Sequence, residues 1–556
     1  MQDRFFRHRR TLLLIAFAVA LGVRLHDLAG VGLAEDEVNK VNAVRSYRAG
    51  DFTANADHPM LMKTLILGAR LAADAYNAGP AAGLGLARLP EETVVRLPNA
   101  VFGALTVFVL YLLATSFFNW RVGMISAWLW ATGIDAVFIN RVAKEDTLLV
   151  FFILLGTWLH RRMKQTPDAE ASRKRWFYYG SAAAFGAMLA SKYFPHYIGL
   201  NMLYFWWHRK AEPSAYPADA FGGKELLRYL LVLGLVFLLL NPVILSPAVI
   251  RHIAHYTGQG TVTHHGYVMM DTLYYNNVDR TPFNGTPGYF YLLFLGVKVP
   301  PLVLLAAAAG LALCLRRRRE AGPFLVLFHL AFWLAPYSLF GVKFMRYTLS
   351  LMPVVYLLAA CGIEAVRERL AASLPPKFSR PASALVPVVV LASALGAFTF
   401  APPFHSLYVN GFGGGASRVG YYFPHDEFYD LQLREAIRQT AREAPPGGAV
   451  FAGETPAVFR YYLEGENRPD IRVVNLSDPS FARGPERHVY VFLQPGRRYF
   501  ENAEFHRDLW RDPSRRTSDF PVRGVSAVRV FRLDWEEFLR IADQRSYFAT
   551  NHRQRG

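Results

Sequence analysis

The chain is poor in cysteine, with only Cys314 and Cys361 among its 556 residues. Both lie near the ends of long apolar runs, so they cannot cross-link the polar parts of the chain, and a disulfide framework is excluded. The sequence shows no internal repeat and, in its polar C-terminal part, no glycine-rich nucleotide-binding fingerprint. No small-residue cleavage site follows the first apolar run, which argues against a removable signal peptide.

Apolar runs dominate the chain up to about residue 401, and 53% of all residues are hydrophobic. A bilayer core of ~30 Å needs about 20 apolar residues for each helical span. About eleven runs meet or approach this length. They cover residues 11–28, 97–118, 122–140, 145–160, 176–192, 193–208, 226–246, 288–315, 323–341, 347–366 and 382–401. The sequence therefore predicts a polytopic α-helical membrane protein with about eleven transmembrane helices.

The formal net charge of +18 does not indicate nucleic acid binding, because of where the basic residues lie. With eleven spans, the basic clusters all fall on the side of the N-terminus. These clusters are Arg4–Arg10, Arg161–Lys164, Arg173–Arg175, Arg209–Lys210, Arg316–Arg319 and Arg367–Arg380. Since cytoplasmic loops carry such an excess, the N-terminus is predicted to be cytoplasmic. The basic residues are expected to contact membrane lipids.

Three polar segments are predicted on the external side. Residues 29–96 form a loop with two helices on the membrane surface, the second after Pro59. Residues 247–287 form a second loop, rich in turn and hydrogen-bonding residues. Beyond a transmembrane domain at 1–401, residues 402–556 are expected to form a small soluble α/β domain outside the cytoplasm. Its predicted strands are 449–452, 471–475 and 489–493, and its predicted helices are 426–442 and 456–463.

Acidic residues at the external ends of the spans are the first candidates for chemistry. Asp36 and Glu37 follow the first span, where they form either a solvated loop or a general acid or base held at the membrane surface. Asp146 follows a short external turn between the third and fourth spans. It suits a helix N-terminus, and this capping role is compatible with a catalytic one.

Basic residues are concentrated on the same side. Ionisable groups at membrane depth are costly and often functional, although lysines at span ends are commonly interface anchors. Lys298, inside the eighth span and directly before Val299-Pro300-Pro301, is expected to line a cavity, because proline-broken helices are tolerated there. The other external cations are Lys63, Arg141, Lys192, Lys343 and Arg346.

Histidines of the second loop raise the question of a metal. His255, His264 and His265 with a nearby acid form a set that can ligate a divalent ion. Their spacing matches no compact zinc motif, so an unligated polar loop is favoured. No cofactor is therefore required by the sequence, and a divalent metal stays an open alternative.

Carboxylates and cations that meet at an external, lipid-bordered cavity can deprotonate a hydroxyl and stabilise a phosphate leaving group. Because nucleotide-activated donors are made in the cytoplasm, an outward-facing transferase needs a sugar that arrives through lipid. A polyprenyl-phosphate sugar fits, with its tail between helices and its phosphate on Lys and Arg.

Several of these stretches resemble the protein O-mannosyltransferase family. Ala34-Glu35-Asp36-Glu37 resembles its Asp-Glu signature, and His58-Pro59 with Lys63 resembles its His-Pro-Pro-Leu-x-Lys stretch. Asn140-Arg141 through Asp146 resembles its second acidic site. Further similar positions are Ser191-Lys192, Lys298-Val299-Pro300 and Arg346-Tyr347 with Pro353. The resemblance covers about residues 10–366.

The resemblance implies a type C glycosyltransferase fold, similar to glycosyltransferase family 39, and a polyprenyl- or dolichyl-phosphate-linked sugar donor. It implies an inverting transfer of mannose or another hexose or pentose, with Asp36 as the base and Glu37 and Asp146 in support. The candidates for the donor phosphate are Lys63, Arg141, Lys192, Lys298 and Arg346. The candidates for other substrate contacts are His58, His264, His265, Tyr267 and Tyr347.

The chain departs from the family pattern at Met60, which replaces the second proline, and it lacks an insertion between membrane spans. These departures favour a bacterial inner-membrane protein and leave protein, glycan and lipid acceptors open. The lipid A aminoarabinose transferases are similar in fold and first loop. The alternatives to an enzyme are a flippase for a lipid-linked saccharide, which would be expected to show repeated halves, and an inactive scaffold that presents the C-terminal domain.

Overall fold

The computed structural model describes residues 2–211, 223–258, 263–400, 402–478, 483–512 and 514–541. Its first part is almost entirely helical. The helices up to residue 258 are α1 (Gln2–Leu25), α2 (Glu35–Arg48), α3 (Leu61–Ala78), α4 (Pro80–Leu84), α5 (Glu91–Phe117), α6 (Trp120–Thr132), α7 (Ile134–Asn140), α8 (Asp146–Gln165), α9 (Ala171–Ser191), α10 (His196–Ala211), α11 (Gly223–Leu240) and α12 (Pro247–Gly258).

A β-hairpin and five more long helices complete the helical part. They are β1 (Thr263–Met269), β2 (Thr272–Asn277), α13 (Phe290–Lys298), α14 (Pro301–Arg316), α15 (Ala321–Leu339), α16 (Met352–Ser373) and α17 (Pro376–Gly396). The segment predicted as an external loop at 247–287 contains α12 and this hairpin. Met270 and Asp271 at its tip have φ of 48° and 65°, which fits a two-residue turn whose central residues are both left-handed.

Each predicted span coincides with one helix or with a broken pair of helices. Within the described residues, three helices are long and apolar enough to cross a membrane, Glu91–Phe117, Ala321–Leu339 and Lys377–Thr399. A fourth is added if α6 and α7, bent by 57°, form one span. Others are too short for this criterion, such as α14 with 16 residues. The number of about eleven spans therefore stays a prediction.

Glycines set two close approaches in the helical part. A Cβ on Gly133, at the bend between α6 and α7, would lie 1.8 Å from the phenol oxygen of Tyr356 on α16. Gly310 on α14 and Gly362 on α16 let these two helices touch through their backbones, since a Cβ on either would meet a carbonyl of the other helix within 2.0 Å. Small residues of this kind allow close helix packing in membrane proteins.

The C-terminal part is an α/β unit, as predicted. Its elements are α18 (Pro424–Phe428), α19 (Leu433–Glu443), β3 (Ala449–Gly453), α20 (Pro456–Gly465), β4 (Arg472–Asn475), β5 (His488–Leu493), α21 (Ala503–Trp510), β6 (Arg516–Val522) and β7 (Val525–Leu533). The sheet order is β4-β3-β5-β7-β6, with β4, β3 and β5 parallel. Residues 542–556 of the predicted domain lie outside the described residues.

Two details of this unit differ from the prediction. The hairpin β6–β7, which adds an antiparallel edge, was not predicted. The predicted helix 426–442 is broken into α18 and α19, because Tyr429, Asp430 and Gln432 adopt φ of 36°, 63° and 63°. Residues other than glycine rarely adopt such values, and where they do a structural or functional reason is expected. This turn, residues 429–432, faces the helical part.

Candidate active site

A cavity of 460 Å³ lies where the polar turns of the helical part meet the C-terminal unit. The helical part contributes the start of α2, the loop before α3, the turn before α8, the residues after α9 and the turn at Arg346 and Tyr347. The C-terminal unit contributes the turn 429–432 and the ends of β3, β4 and β5. We call this space the junction cavity.

A larger cavity of 890 Å³ lies against the β1–β2 hairpin. Two short segments, 424–425 and 497–499, contribute residues to both cavities and so lie between them. Its lining includes Arg498, Arg507, Arg511 and Arg529, and its one carboxylate among the described residues is Asp271. The junction cavity holds several carboxylates, among them Asp36 paired with Lys144 and Asp146 paired with Lys192, so the candidate active site is placed there.

The first turn of α2 separates two adjacent acids. Successive helical residues point about 100° apart, so Asp36 faces the junction cavity while Glu37 points into the protein. The side chain of Asp36 is 32% exposed and that of Glu37 is 1% exposed. Glu37 forms a buried ion pair with Arg96 at 2.6 Å and accepts a hydrogen bond from the backbone N–H of Ala143 at 2.9 Å. Glu37 therefore fixes α2 against its neighbours, and Asp36 is the acid available to a substrate.

Both protein contacts of the Asp36 carboxylate use the same oxygen. Lys144 forms an ion pair with Oδ2, and the Tyr429 hydroxyl donates to Oδ2 at 2.7 Å. No described residue donates to Oδ1. Burial alone would raise the pKa of Asp36, but the surrounding cations, led by Lys144 and Arg346, hold this pKa well below its usual range. The carboxylate is thus ionised, oriented through one oxygen and open at the other.

A second ion pair lies across the junction cavity. Asp146 begins α8, where an acid is favoured by the helix N-terminus, and it pairs with Lys192 at 2.8 Å. The other carboxylate oxygen of Asp146 is buried and has no hydrogen bond within the described part of the chain. Lys192 directly follows α9, and its amine lies 5.1 Å from the centre of the Tyr347 ring.

Arg346 is the third cation that lines the junction cavity. Its guanidinium lies 4.1 Å from the Phe344 ring centre and 5.4 Å from that of Tyr347. Among the described residues, none accepts a hydrogen bond from Arg346 or forms an ion pair with it. The pKa of Arg346, which burial would lower, is raised by Tyr347 and by the Asp36 carboxylate. Its donors are therefore charged and available to an anion.

His58 lines the junction cavity next to a buried ion pair. Lys40 and Glu145 pair at 2.9 Å with side chains only 1% and 2% exposed. Burial lowers the pKa of His58 to about 4, although Glu145 opposes the shift. His58 is therefore neutral at neutral pH and can donate or accept a hydrogen bond.

The C-terminal unit is joined to α2 through adjacent residues of the turn 429–432. While Tyr429 binds Asp36, the Asp430 carboxylate accepts a hydrogen bond from the backbone N–H of Glu35 at 3.1 Å. Arg497 pairs with Asp430 at 2.6 Å and with Glu35 at 3.0 Å. These contacts fix the position of the carboxyl end of the sheet over the first turn of α2.

The structure brings together part of the predicted site. Asp36, Asp146, Lys192, Arg346, His58 and Tyr347 line the junction cavity. His264 and His265 lie on β1, but their side chains fall outside the described residues. Among the described residues, no group of three or more His, Cys, Asp and Glu side chains could hold a metal ion.

Two predicted phosphate ligands bind backbone carbonyls instead of lining the junction cavity. Lys63 donates to the carbonyl of His58 at 2.9 Å and thereby closes the loop before α3. Arg141 donates to the carbonyls of Val23 and Asp27 at 3.1 and 3.0 Å, which ties the end of α1 to the turn before α8. Lys343, also buried, donates to the carbonyl of Thr286.

Lys298 and Tyr267 likewise lie outside the junction cavity. Lys298, at the break between α13 and α14, forms a buried ion pair with Glu427 at 2.6 Å, which corrects its predicted position in a cavity wall. Tyr267 donates to Asp426 at 2.5 Å. Both contacts attach α18 to the helical part.

Several residues of the junction cavity were not predicted. Lys144 belongs to the turn already noted before Asp146. Its position next to two acids, Glu145 and Asp146, could have indicated a role in the site. Glu454 follows a predicted strand, and ligands commonly bind at the carboxyl ends of parallel strands. Tyr429 and Arg497 carried no local signal, because only the folded turn and sheet bring them to α2.

Comparison with known proteins agrees with this architecture. Residues 83–215 match the sequence profile of the family described as dolichyl-phosphate-mannose-protein mannosyltransferase. ArnT from Cupriavidus metallidurans in the apo state is similar in structure, with 14% identity over 96% of this chain and 98% of that chain and a TM-score of 0.51. No curated protein sequence matches the chain.

Two further solved structures are similar over most of this chain. ArnT from Cupriavidus metallidurans bound to undecaprenyl phosphate has 14% identity over 96% of this chain and 98% of that chain, with a TM-score of 0.49. Archaeal oligosaccharyltransferase AglB from Archaeoglobus fulgidus, in complex with an inhibitory peptide and a dolichol-phosphate, has 11% identity over 90% of this chain and 70% of that chain, with a TM-score of 0.49.

The protein therefore has the fold of the type C membrane glycosyltransferases. The predicted resemblance to the protein O-mannosyltransferases is confirmed by the profile match at residues 83–215.

Proposed function

We propose that the protein is a glycosyltransferase that moves a sugar from a polyprenyl-phosphate carrier to an acceptor hydroxyl. The supporting observation is that one cavity holds an ionised, half-open carboxylate, Asp36, together with the cations Lys144, Lys192 and Arg346. The proposal places this cavity at the outer face of a bacterial inner membrane, with the N-terminus in the cytoplasm and the C-terminal unit outside.

The cations of the junction cavity suit the donor. Lys144 and Lys192 are paired with Asp36 and Asp146, while a polyprenyl-phosphate sugar is a phosphodiester whose one negative charge needs a further cation. Arg346, without a protein acceptor among the described residues, presents a planar fork that can bind two phosphate oxygens. Lys144 and Lys192 flank the same space. On departure the phosphate gains charge, and fixed cations then stabilise it more strongly.

The carrier tail has a matching path. A narrow apolar cleft between α5, α8, α10, α15 and α16 is lined by residues such as Leu154, Leu200 and Trp333. Tyr197, near the start of α10, lines this cleft five residues after Lys192. In this proposal, a phosphate held by Lys192 directs the carrier tail toward this cleft.

Asp36 is the base in this proposal. Its Oδ1 accepts the proton of the acceptor hydroxyl while the acceptor oxygen bonds to the anomeric carbon. The bond between that carbon and the phosphate oxygen breaks, and the electron pair leaves with polyprenyl phosphate. Direct displacement inverts the anomeric configuration. When the donor phosphate binds Lys144, the amine interacts less with Oδ2 of Asp36. The pKa of the carboxyl group then rises and the carboxylate becomes a stronger base, since fewer cations stabilise its ionised form.

The test is release of polyprenyl phosphate from polyprenyl-phosphate-mannose by purified protein, with membrane extract as the acceptor source. We expect release by the wild type and by Glu443→Gln, an exposed acid at the end of α19 that does not line the junction cavity, and none by Asp36→Asn. Equal release by Asp36→Asn would remove Asp36 as the base. If the wild type binds the donor but releases no polyprenyl phosphate with any acceptor or sugar tried, a transporter is favoured.

A further inference from the structure

The carboxyl ends of the three parallel strands of the C-terminal sheet converge on the junction cavity. Glu454 directly follows β3, Asn475 ends β4 with Ser477 two residues on, and Tyr499 lies in the segment after β5. All four line the cavity opposite α2. In open α/β sheets, ligands bind outside the carboxyl ends of the strands.

The crevice lies where the connections of adjacent strands leave in opposite directions. After β3 the chain enters α20, which packs with α19 on the face that carries Phe451 and Phe492. After β5 it enters α21, which packs on the opposite face with Val450 and Val491. Because β3 and β5 are neighbours, their ends diverge and leave a gap at Glu454. This arrangement is the topological switch point at which such sheets bind ligands.

The side chains at this gap are held in place before any ligand arrives. The Ser477 hydroxyl donates to one oxygen of Glu454 at 2.6 Å, and the Asn502 amide donates to the other at 2.7 Å. Asn502 is itself fixed, since it donates to the carbonyl of Arg497 and accepts from the N–H of Tyr499. A carboxylate oxygen can accept more than one hydrogen bond. A preorganised set of acceptors of this kind recognises O–H or N–H groups rather than phosphate.

The two walls of the cavity thus differ in chemistry. The wall at the helical part carries Lys144, Lys192 and Arg346. The wall at the sheet carries Glu454 with amide and hydroxyl groups, and its one cation in the described part of the chain, Arg497, is already paired with Asp430 and Glu35. A carrier tail enters from the membrane side, so its phosphate meets the cations first. The group attached to the phosphate then projects away from the helices, toward the ends of β3 and β4.

We propose that Glu454, Asn475 and Ser477 form the subsite for the hydroxyl groups of the transferred sugar, an inference that rests on the proposed function. The C-terminal unit would then select the sugar, while the helical part supplies the base and the phosphate ligands. A site built to bind a substrate hydroxyl discriminates strongly against analogues that lack it, because its own polar groups are otherwise left unpaired.

The experiment compares binding of glycosylated and bare carrier. Purified full-length protein is titrated with polyprenyl phosphate and with the polyprenyl-phosphate-linked forms of mannose, glucose and aminoarabinose. For the best of these sugars, Glu454→Gln and Ser477→Ala should each raise the Kd of the glycosylated carrier about tenfold. The Kd of bare polyprenyl phosphate should change less than about twofold, and Glu443→Gln, the control in the same unit, should change neither.

The outcomes separate this inference from the function on which it rests. A wild type that binds bare carrier but gains no affinity from any of the sugars would overturn the sugar subsite and leave a carrier-binding protein. Equal weakening of bare and glycosylated carrier by both variants would show a structural role and also overturn it. Full affinity of the variants for the donor, with weaker saturation by acceptor, would assign these residues to the acceptor instead. No binding of any carrier by the wild type would contradict the proposed function itself.

Discussion

The hydroxyl of Tyr429 donates a hydrogen bond to Oδ2 of Asp36 over a distance of 2.7 Å, although the two residues are 393 positions apart. Through this contact the C-terminal unit binds the candidate catalytic carboxylate directly. The left-handed φ of 36° at Tyr429 ends α18 and turns the side chain toward α2. The orientation of Asp36 therefore depends on both parts of the chain.

Removal of this hydrogen bond tests that dependence. A hydrogen bond to a charged group contributes about 1.5–3 kcal/mol, so Tyr429→Phe should lower turnover roughly ten- to a hundredfold through loss of orientation. Because the phenol stabilises the ionised carboxylate, its loss should raise the pKa of Asp36, and the acid limb of the rate profile should move to higher pH. The measurement is polyprenyl phosphate release as a function of pH. Tyr421→Phe, in the neighbouring cavity, is the control, and an unmoved acid limb in Tyr429→Phe would contradict the coupling.

Arg346 allows a separation of binding from stability. Since no described residue pairs with its guanidinium, Arg346→Gln should leave the unfolding temperature unchanged. The KM for the donor should rise about tenfold or more. Arg346→Lys should recover only part of the affinity, because an ammonium lacks the planar fork. Arg418→Gln is a matched control, as Arg418 also lies over an aromatic ring, that of Tyr421, but outside the junction cavity. Loss of stability in Arg346→Gln would show that the residue has a structural partner.

Asp36 and Glu37 should give opposite results on substitution. Asp36→Asn is expected to abolish turnover and leave the protein folded. Glu37→Gln leaves Arg96 buried with an unbalanced charge, and removal of one partner of a buried ion pair costs about 3–5 kcal/mol. Glu37→Gln should therefore lower the unfolding temperature and the yield, while the folded fraction keeps measurable turnover. Comparison of both variants by thermal unfolding in detergent and by release per folded molecule checks this, and a stable but inactive Glu37→Gln would reverse the two roles.

The acids and cations at the ends of apolar runs could be predicted from the sequence, because membrane burial makes such residues conspicuous. Asp36, Asp146, Lys192 and Arg346 were found in this way. The same rule could not separate cations that face a cavity from those that bind carbonyls. Lys63 and Arg141 follow the same pattern, yet they stabilise loop backbones.

The contribution of the C-terminal unit could be predicted only in part. Short apolar runs located β3, β4 and β5, and ligands commonly bind at the carboxyl ends of such strands. The break at Tyr429 was hidden, since the amphipathic pattern of 426–442 continues across it. The junction itself depends on contacts such as Arg497 with Glu35, which follow from the assembled fold and have no local signature.

Lys144 predicts how donor binding depends on pH. Burial, with Arg346 nearby, lowers the pKa of Lys144 to about 8. The amine is therefore a cation below this pH and becomes neutral as the pH rises through it. The donor phosphodiester does not titrate in this range, so the Kd for polyprenyl-phosphate-mannose should rise several-fold to about tenfold between about pH 7 and pH 9. In Lys144→Arg the guanidinium stays charged throughout, and the step in affinity should disappear. An equal change in Kd with pH in Lys144→Arg would mean that another group controls the pH dependence of donor binding. The orientation of Asp36 would then depend on Tyr429 rather than on the titration of Lys144.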